Sequence, residues 1–400
     1  MSLQFVTAQR TVIQGLRNTG ISLPWVKDDS LLTNALRQFY NFFAFFIVTF
    51  QLVDTAISAI MLENFDDKCR AGTVTSIESN PTMLSVYYVF YHVRIKKFLE
   101  HSDALSQRIL NSELGQKEFF EKSYLENAKK NNFFTKIVLI FVFWTPILYA
   151  LPRPLIDLYN QEYRKTLPMY LVYPFDDHKP GFYEMTFLIQ TLGLVCGDLK
   201  KFANDCFFLS LFRTQTVYVK YMSASIRDLG EEFKKTGDLN LKKKLIKWIE
   251  IHDHFIRNFN ELLSLYTPVI CIYYANLICT VVLCIFTQLQ EKKFGIIEGI
   301  GLGGFFSANV FQLYLQCAAN DDFIVEADNL ALEIYKTPWY EIDKTNKGII
   351  RTMFLMASRP VEITAFKSPT LRLNKEAFLA FVASTITAVM TFKNMSDLHQ

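Results

Sequence analysis

Seven separate stretches of this chain are apolar over about the length that a helix needs to cross a hydrocarbon core of ~30 Å. They fall at roughly 38–62, 77–99, 133–151, 182–202, 265–289, 294–318 and 376–395. Lipid offers the backbone no hydrogen-bond partner, so spans of this kind must be helical. The expected fold class is therefore an all-α membrane protein with seven transmembrane helices. The second window is the weakest, because Glu78, Asn80 and Pro81 stand near its start and His92 and Arg94 near its end. Half of the residues are apolar and 37 are Phe, more than a soluble chain of 400 residues carries. Met1 to Arg37 holds Arg10, Arg17, Lys27 and Arg37 without a short apolar core, so the first hydrophobic window is expected to do the targeting.

Orientation follows from the cations between the windows. The N-terminal arm and the connections at 94–136, 200–261 and 319–375 hold 33 of the 42 Lys and Arg residues. Cytoplasmic loops retain cations, which places the N-terminus inside and the C-terminus outside. The net charge of +3 is too small to carry any further meaning; no nucleic acid and no cofactor is expected as a partner.

Helical periodicity does not stop at the membrane. Leu241, Leu245, Trp248, Ile249, Phe255, Ile256, Phe259, Leu262 and Leu263 recur every three or four residues in phase with the fifth window. A helix from about 240 to 289 would be ~75 Å long, more than twice the hydrocarbon thickness. The fourth window runs on in the same way to about Met222, with Gly230 to Asp238 as the expected turn. After the sixth window, one amphipathic helix ending before Pro338 and a second stopped by Arg359 and Pro360 are expected, the latter as the first half of a split seventh helix. Four regions result: a cytoplasmic arm at 1–37, transmembrane helices 1 to 6 with extensions at 38–318, anchor helices at 319–375, and the membrane half of helix 7 with an outer tail at 376–400. Helices 4 to 6 thus extend into a cytoplasmic anchor bundle.

The last window carries Ser384, Thr385, Thr387, Thr391 and Asn394. Either these groups face an ion pathway or they hold the helix to its neighbours. Six cysteines lie in or next to apolar windows and Cys69 in a candidate outer loop; all read as small buried hydrophobes. Among charges inside the windows, Asp54, Asp198 and Glu298 read as structural pairs and Glu184 as a functional candidate. His252 and His254 are two apart and point in different directions on a helix, so a packed or exposed face is a better reading than metal.

Several stretches resemble the insect odorant receptor family. Leu171 to Gln190, LVYPFDDHKPGFYEMTFLIQ, is similar to that family's outer-loop entry to its fourth helix. CAANDDFIVEADNLALEIYKTPWYE is similar to its stretch after the sixth helix, and the segment from Ile349 to Phe392 to its last helix pair, with Arg359 where Lys before Pro is usual. The chain lacks the long insertion of the shared co-receptor and so resembles a ligand-tuning subunit. The resemblance implies an odorant-gated, non-selective cation channel in the plasma membrane of a sensory neuron. It implies a tetramer with the co-receptor, a homotetramer being the other assembly, and a pore made by the last helix of each subunit.

The same resemblance places a pocket for a small volatile organic ligand among helices two, three, four and six, in the outer half of the bilayer. The candidates there are Met83, Tyr87, Tyr88 and Tyr91; Phe141, Trp144 and Leu148; Tyr183, Phe187, Gln190 and Leu194; and Phe305, Phe306 and Asn309. Aromatic walls with few polar groups suit such a ligand, and ordinary helix packing is the competing reading for each residue. Thr391, Asn394, Met395 and Leu398 are the expected pore and gate residues, Met395 forming a constriction that closes by dewetting. A gustatory-type channel of the same superfamily and a membrane carrier or enzyme are the alternatives. No cluster of His, Asp, Glu, Ser or Cys at catalytic spacing supports an enzyme, and no inverted repeat supports a carrier.

Overall fold

The computed structural model describes residues 9–26, 31–150, 167–169, 171–173, 175–177, 179–236, 241–290, 296–359, 361–364 and 372–398. Its described regular elements are helices: α1 (Arg10–Asn18), α2 (Leu31–Met61), α3 (Phe65–Leu110), α4 (Lys117–Ala150), α5 (Phe182–Thr236), α6 (Leu241–Gln290), α7 (Ile296–Lys336), α8 (Lys344–Ala357) and α9 (Lys375–Leu398). One isolated bridge, Thr364 to Arg372, stands beside them.

The sequence windows mark these helices and underrate their length. α3 begins at Phe65, so Cys69 lies buried within it and not in a loop. α5 runs through Gly230 to Thr236, where a turn was expected. Glu231, Glu232 and Lys234 favour helix, and the bare Cα of Gly230 leaves room for Thr337 and Pro338, both 3.4 Å from where a Cβ would sit. The sixth window and the amphipathic segment after it are one helix, α7. α8 ends at Ala357, short of Arg359; its first turn is capped by Asp343, whose carboxylate accepts from the Thr345 and Asn346 N–H groups and is held below its usual pKa by them.

Leu32–Met61 and Leu241–Leu283 are apolar enough to cross a membrane on composition alone.

α3 packs along α6, α4 along α5, α2 along α3 and α5 along α7, while α1 wedges against α4 and α5. Gly20 turns the chain after α1 with φ +82°, and a Cβ there would lie 2.5 Å from Ala44 on α2. The common core is aromatic. Phe259 and Phe323 stack with centroids 4.5 Å apart, Phe212 meets Tyr266 edge-on at 4.9 Å, and the Trp248 indole donates to the Met222 carbonyl at 3.2 Å. His252 stacks on Trp248 at 5.0 Å, and burial lowers its pKa to about 4.

Candidate functional site

The expected ligand residues form three separate groups. On α3, Tyr87 stacks on Tyr91 at 4.6 Å and meets Tyr88 edge-on at 5.3 Å. Both buried hydroxyls are committed: Tyr87 donates to the Leu265 carbonyl of α6 at 2.8 Å and Tyr88 to Asn204 Oδ1 of α5 at 2.9 Å. Tyr183 and Phe187 follow one another along α5, 6.1 Å apart, and Leu194 is half-buried two turns on. Gln190 serves the connection before α5: its side chain accepts from the Met169 N–H at 2.9 Å and donates to Tyr173 Oη at 3.0 Å. Met83, Phe141 and Trp144 face outward, 47%, 70% and 54% exposed. The side chains of Leu148, Phe305 and Phe306 lie outside the described residues.

Asn309 leads to a constellation that the windows conceal. Its Oδ1 accepts from Lys201 Nζ at 2.6 Å and its carbonyl from Tyr273 Oη at 3.0 Å. One helical turn further along α5, Asp205 accepts from Gln312 and Gln316 of α7. On the other side of α5, Lys200 donates to the Ala44 carbonyl at 2.9 Å and Ser85 Oγ at 3.1 Å. Positions 194, 198, 201 and 205 share one face of α5 and 309, 312 and 316 one face of α7, so the charges sit in the seam between these helices. In α3, Ser76 Oγ lies 3.0 Å from Thr280 Oγ1, and Ser79 bonds Asn276, both across to α6.

Between these walls lies a cleft lined by Ser76, Asn80, Lys201, Asn276, Thr280 and Asn309, with Tyr273 and Leu277. It encloses ≈ 10 Å³, about the room of one water. A larger cavity, ≈ 680 Å³, lies at the α3–α4 turn against the start of α6. Three of the lysines lining it are paired, Lys243 with Glu113 at 2.8 Å, Lys244 with Glu232 at 2.5 Å and Lys247 with Glu250 at 2.9 Å, and the Lys243 ammonium holds the Glu113 carboxyl below its usual range.

At the other end of the chain, α9 rests on α6 and α7. Asn374 Oδ1 accepts from the Ala377 N–H at 2.8 Å, Lys375 pairs with Asp321 at 2.9 Å, and Phe378 meets Tyr314 at 5.4 Å. Leu379, Ile386 and Met390 are 55–65% exposed in this protomer. The hydroxyls of Thr385, Thr387 and Thr391 each donate to the carbonyl four residues back. Such back-bonding satisfies a hydroxyl within its own helix, so these threonines do not by themselves demand water or a neighbouring helix. Thr391 is exposed; the side chains of Asn394, Met395 and Leu398 lie outside the described residues.

A family model described as 7tm Odorant receptor matches residues 64–382. The chain belongs to the insect odorant receptor family. Among its relatives, Odorant receptor 13a of Drosophila melanogaster is 24% identical over 70% of this chain and 74% of that protein. Odorant receptor 47a of the same fly is 22% identical over 58% of this chain and 59% of its own length. The structure of the insect olfactory receptor OR5 from Machilis hrabei superposes with TM-score 0.77 at 17% identity, covering 96% of both chains. Its complex with eugenol gives TM-score 0.78 at 16% identity over 99% of both. This odorant receptor is thus an all-helical membrane receptor and not an enzyme. Of these α5–α7 charges the sequence singles out only Asp198; Lys200 and Lys201 count there only among the cations of the connection at 200–261, and Asp205 falls in the expected continuation of the helix toward Met222.

Proposed function

We propose that this odorant receptor is a ligand-tuning subunit of a cation channel, opened when a small volatile molecule enters the membrane bundle among α3, α4, α5 and α7. The observation that carries this reading is α9. It is fastened to the protomer at its start, through Asn374, Lys375 and Phe378, while Leu379, Ile386 and Met390 stay uncovered. A membrane helix fastened at its start, with one side uncovered at Leu379, Ile386 and Met390, is suited to line a shared axis with its copies from other subunits. The likeness to a receptor solved with eugenol supports a small volatile as ligand.

In this reading the N-terminus is cytoplasmic, which the cation distribution supports. Residues 1–37 form a cytoplasmic arm, 38–318 the six membrane helices with their extensions, 319–375 the anchor, and 376–400 the pore helix and outer tail. The lower halves of α5, α6 and α7 with α8 make the surface on which a co-receptor or further copies assemble into a tetramer. Exposed Leu332, Tyr335, Tyr340 and Leu355 lie there. Met395 is the proposed hydrophobic constriction, with Thr391, Asn394 and Leu398 around it. The receptor resides in the plasma membrane.

Whole-cell recording with and without a co-receptor, during perfusion of a volatile panel, tests the proposal. Ligand-evoked cation current that depends on this subunit for its ligand preference is expected. Ligand turnover or transport without current overturns it.

A further inference from the structure

Two antiparallel helices carry the same layering on their outer faces. Along α3, Phe90, Val93, Arg94 and Lys97 recur at three- and four-residue spacing and so share one side of the helix. Phe90 and Val93 are 75% and 51% exposed, whereas between Arg94 and Leu110 the described residues expose no large apolar side chain. Along α4, which runs the other way, Lys129, Lys130, Phe133, Lys136 and Ile137 share a side, with Phe133 and Ile137 68% and 49% exposed. Bare apolar surface suits acyl chains, and on both helices it gives way to cations whose long stems can lie along it.

Contacts across the bundle place these cations at one depth. Arg94 donates to Ser264 Oγ of α6 at 2.7 Å and Ser102 to Asn258 Oδ1 at 3.3 Å. Phe212 of α5 meets Phe259 of α6, and Arg213 beside it donates to Asn131 Oδ1 of α4 at 3.2 Å. Asn131 thus stands level with Glu100 of α3, Lys136 with the turn from Arg94 to Lys97, and Lys129 and Lys130 about one turn farther along. All fall in a layer ~10 Å deep at 1.5 Å per residue, and Arg94, Lys96, Lys97, Lys129, Lys130 and Lys136 are exposed in it. Between Arg94 and His101 on α3 and between Lys129 and Lys136 on α4 the chain holds one carboxylate, Glu100, 3.6 Å from Lys96. Glu261 of α6, at the same depth, faces His101 at 3.2 Å, and Glu126 lies about a turn below Lys129 and Lys130. Among the described residues no carboxylate pairs with Lys97, Lys129, Lys130 or Lys136.

We propose that this layer docks acidic phospholipids, with their anionic headgroups among the cations of α3 and α4 and their acyl chains against Phe90, Val93, Phe133 and Ile137. Its place in the cytoplasmic leaflet rests on the reading of the N-terminus as cytoplasmic. Six outward cations against one carboxylate leave a positive surface that the protein does not neutralise, and each lysine near an acidic membrane surface is worth about fivefold in association. A zwitterionic lipid meets the same apolar wall but brings its own cation, so it gains less. The lysines at the start of α6 differ. Lys247 and those before it lie at least ~25 Å below Ser264 along the helix, beyond the headgroups, and Lys243, Lys244 and Lys247 each have a carboxylate partner.

The test equilibrates the purified full-length receptor with micelles holding equal amounts of phosphatidylserine and phosphatidylcholine of identical acyl chains, and counts the retained lipid by mass spectrometry. Micelles have no sides and the measurement needs no current, so its outcome is separate from the orientation and from channel activity. The wild type retains the serine lipid over the choline lipid by about fivefold or more at about 0.1 M salt, and the ratio falls as salt is raised. Lys96→Gln, Lys97→Gln, Lys129→Gln and Lys130→Gln combined bring the ratio near one, whereas Lys242→Gln with Lys247→Gln leaves it unchanged. Equal retention of the two lipids by the wild type, a ratio that survives the fourfold variant, or an equal loss in the α6 variant overturns the proposal. So does release of the serine lipid by glycerophosphoserine at equal concentration, which assigns the layer to a soluble anion. If the fourfold variant does not fold, the α3 pair and the α4 pair are made separately: a reduced ratio in either supports the proposal, and a full wild-type ratio in both overturns it.

Discussion

Two regions of this receptor are equally buried and built on opposite principles. Around Trp248, Phe255, Phe259 and Phe323, aromatic rings from α6 and α7 fill the seam with few polar atoms. Around Asn80, Lys201 and Asn309, the same α6 and α7, joined by α3 and α5, meet through amides, hydroxyls and ammonium groups. Dispersion contacts are numerous and lost together, so the first region has one good arrangement. Hydrogen bonds are few, directional and exchangeable for those of a ligand or water, so the second can part at lower cost. A receptor that must hold its assembly while responding to a small molecule gains from keeping these apart.

The comparison breaks most visibly at its apolar end. Trp248→Ala removes a fully buried indole and its bond to Met222; a loss of about 3–5 kcal/mol is expected, as for other buried Trp truncations, read as a lowered melting temperature and loss of surface receptor. A stability like wild type would mean that this seam is not the anchor.

Acid should reach the same region next. His252 is buried and titrates at about 4 in the fold, against about 6.5 for a free imidazole. Between these values the unfolded chain takes up a proton that the folded one refuses. The contribution of His252 is thus intact above about pH 6.5 and is lost progressively toward pH 4, amounting to about 3 kcal/mol in full. Melting curves from pH 7.5 to 4.5 should be steeper for the wild type than for His252→Phe; identical slopes would contradict the burial.

In the polar seam, Asp205→Asn replaces a carboxylate bonded by Gln312 and Gln316 with a neutral amide. A cost of about 2 kcal/mol is expected, since one of the two glutamine amides then meets an NH2 group where it had an acceptor. Ligand potency should shift with it, and an unshifted dose response would detach this seam from the ligand. The smallest effect concerns α9. Asn374→Ala removes the bond to the Ala377 N–H, worth about 1 kcal/mol as a helix cap. Faster hydrogen exchange confined to residues 375–378 is the measurement, and unchanged protection there would show that Lys375 and Phe378 hold the helix start without the cap.

Helix order was legible wherever it depended on local hydropathy. The span from about 240 to 289 emerges as Leu241–Gln290 because its apolar period never breaks. Gly230 misled because a glycine reads locally as a turn, whereas Thr337 and Pro338, more than a hundred residues away, make it a point of close approach. The candidate site was less legible. Tyr87 and Tyr88 were found as aromatics, but the partners that occupy their hydroxyls are on α6 and α5. Lys201 and Asn309 lie far apart in the sequence and no local pattern pairs them.

The chain alone determined its all-helical class, the order and approximate spans of its helices, and the side on which its cations gather, because each follows from the solvent preference of residues close in sequence. Tertiary structure decided which buried groups satisfy one another. Lys201 and Asn309 are 108 residues apart, and whether they meet depends on how α5 and α7 rotate and settle against each other, which no local pattern records.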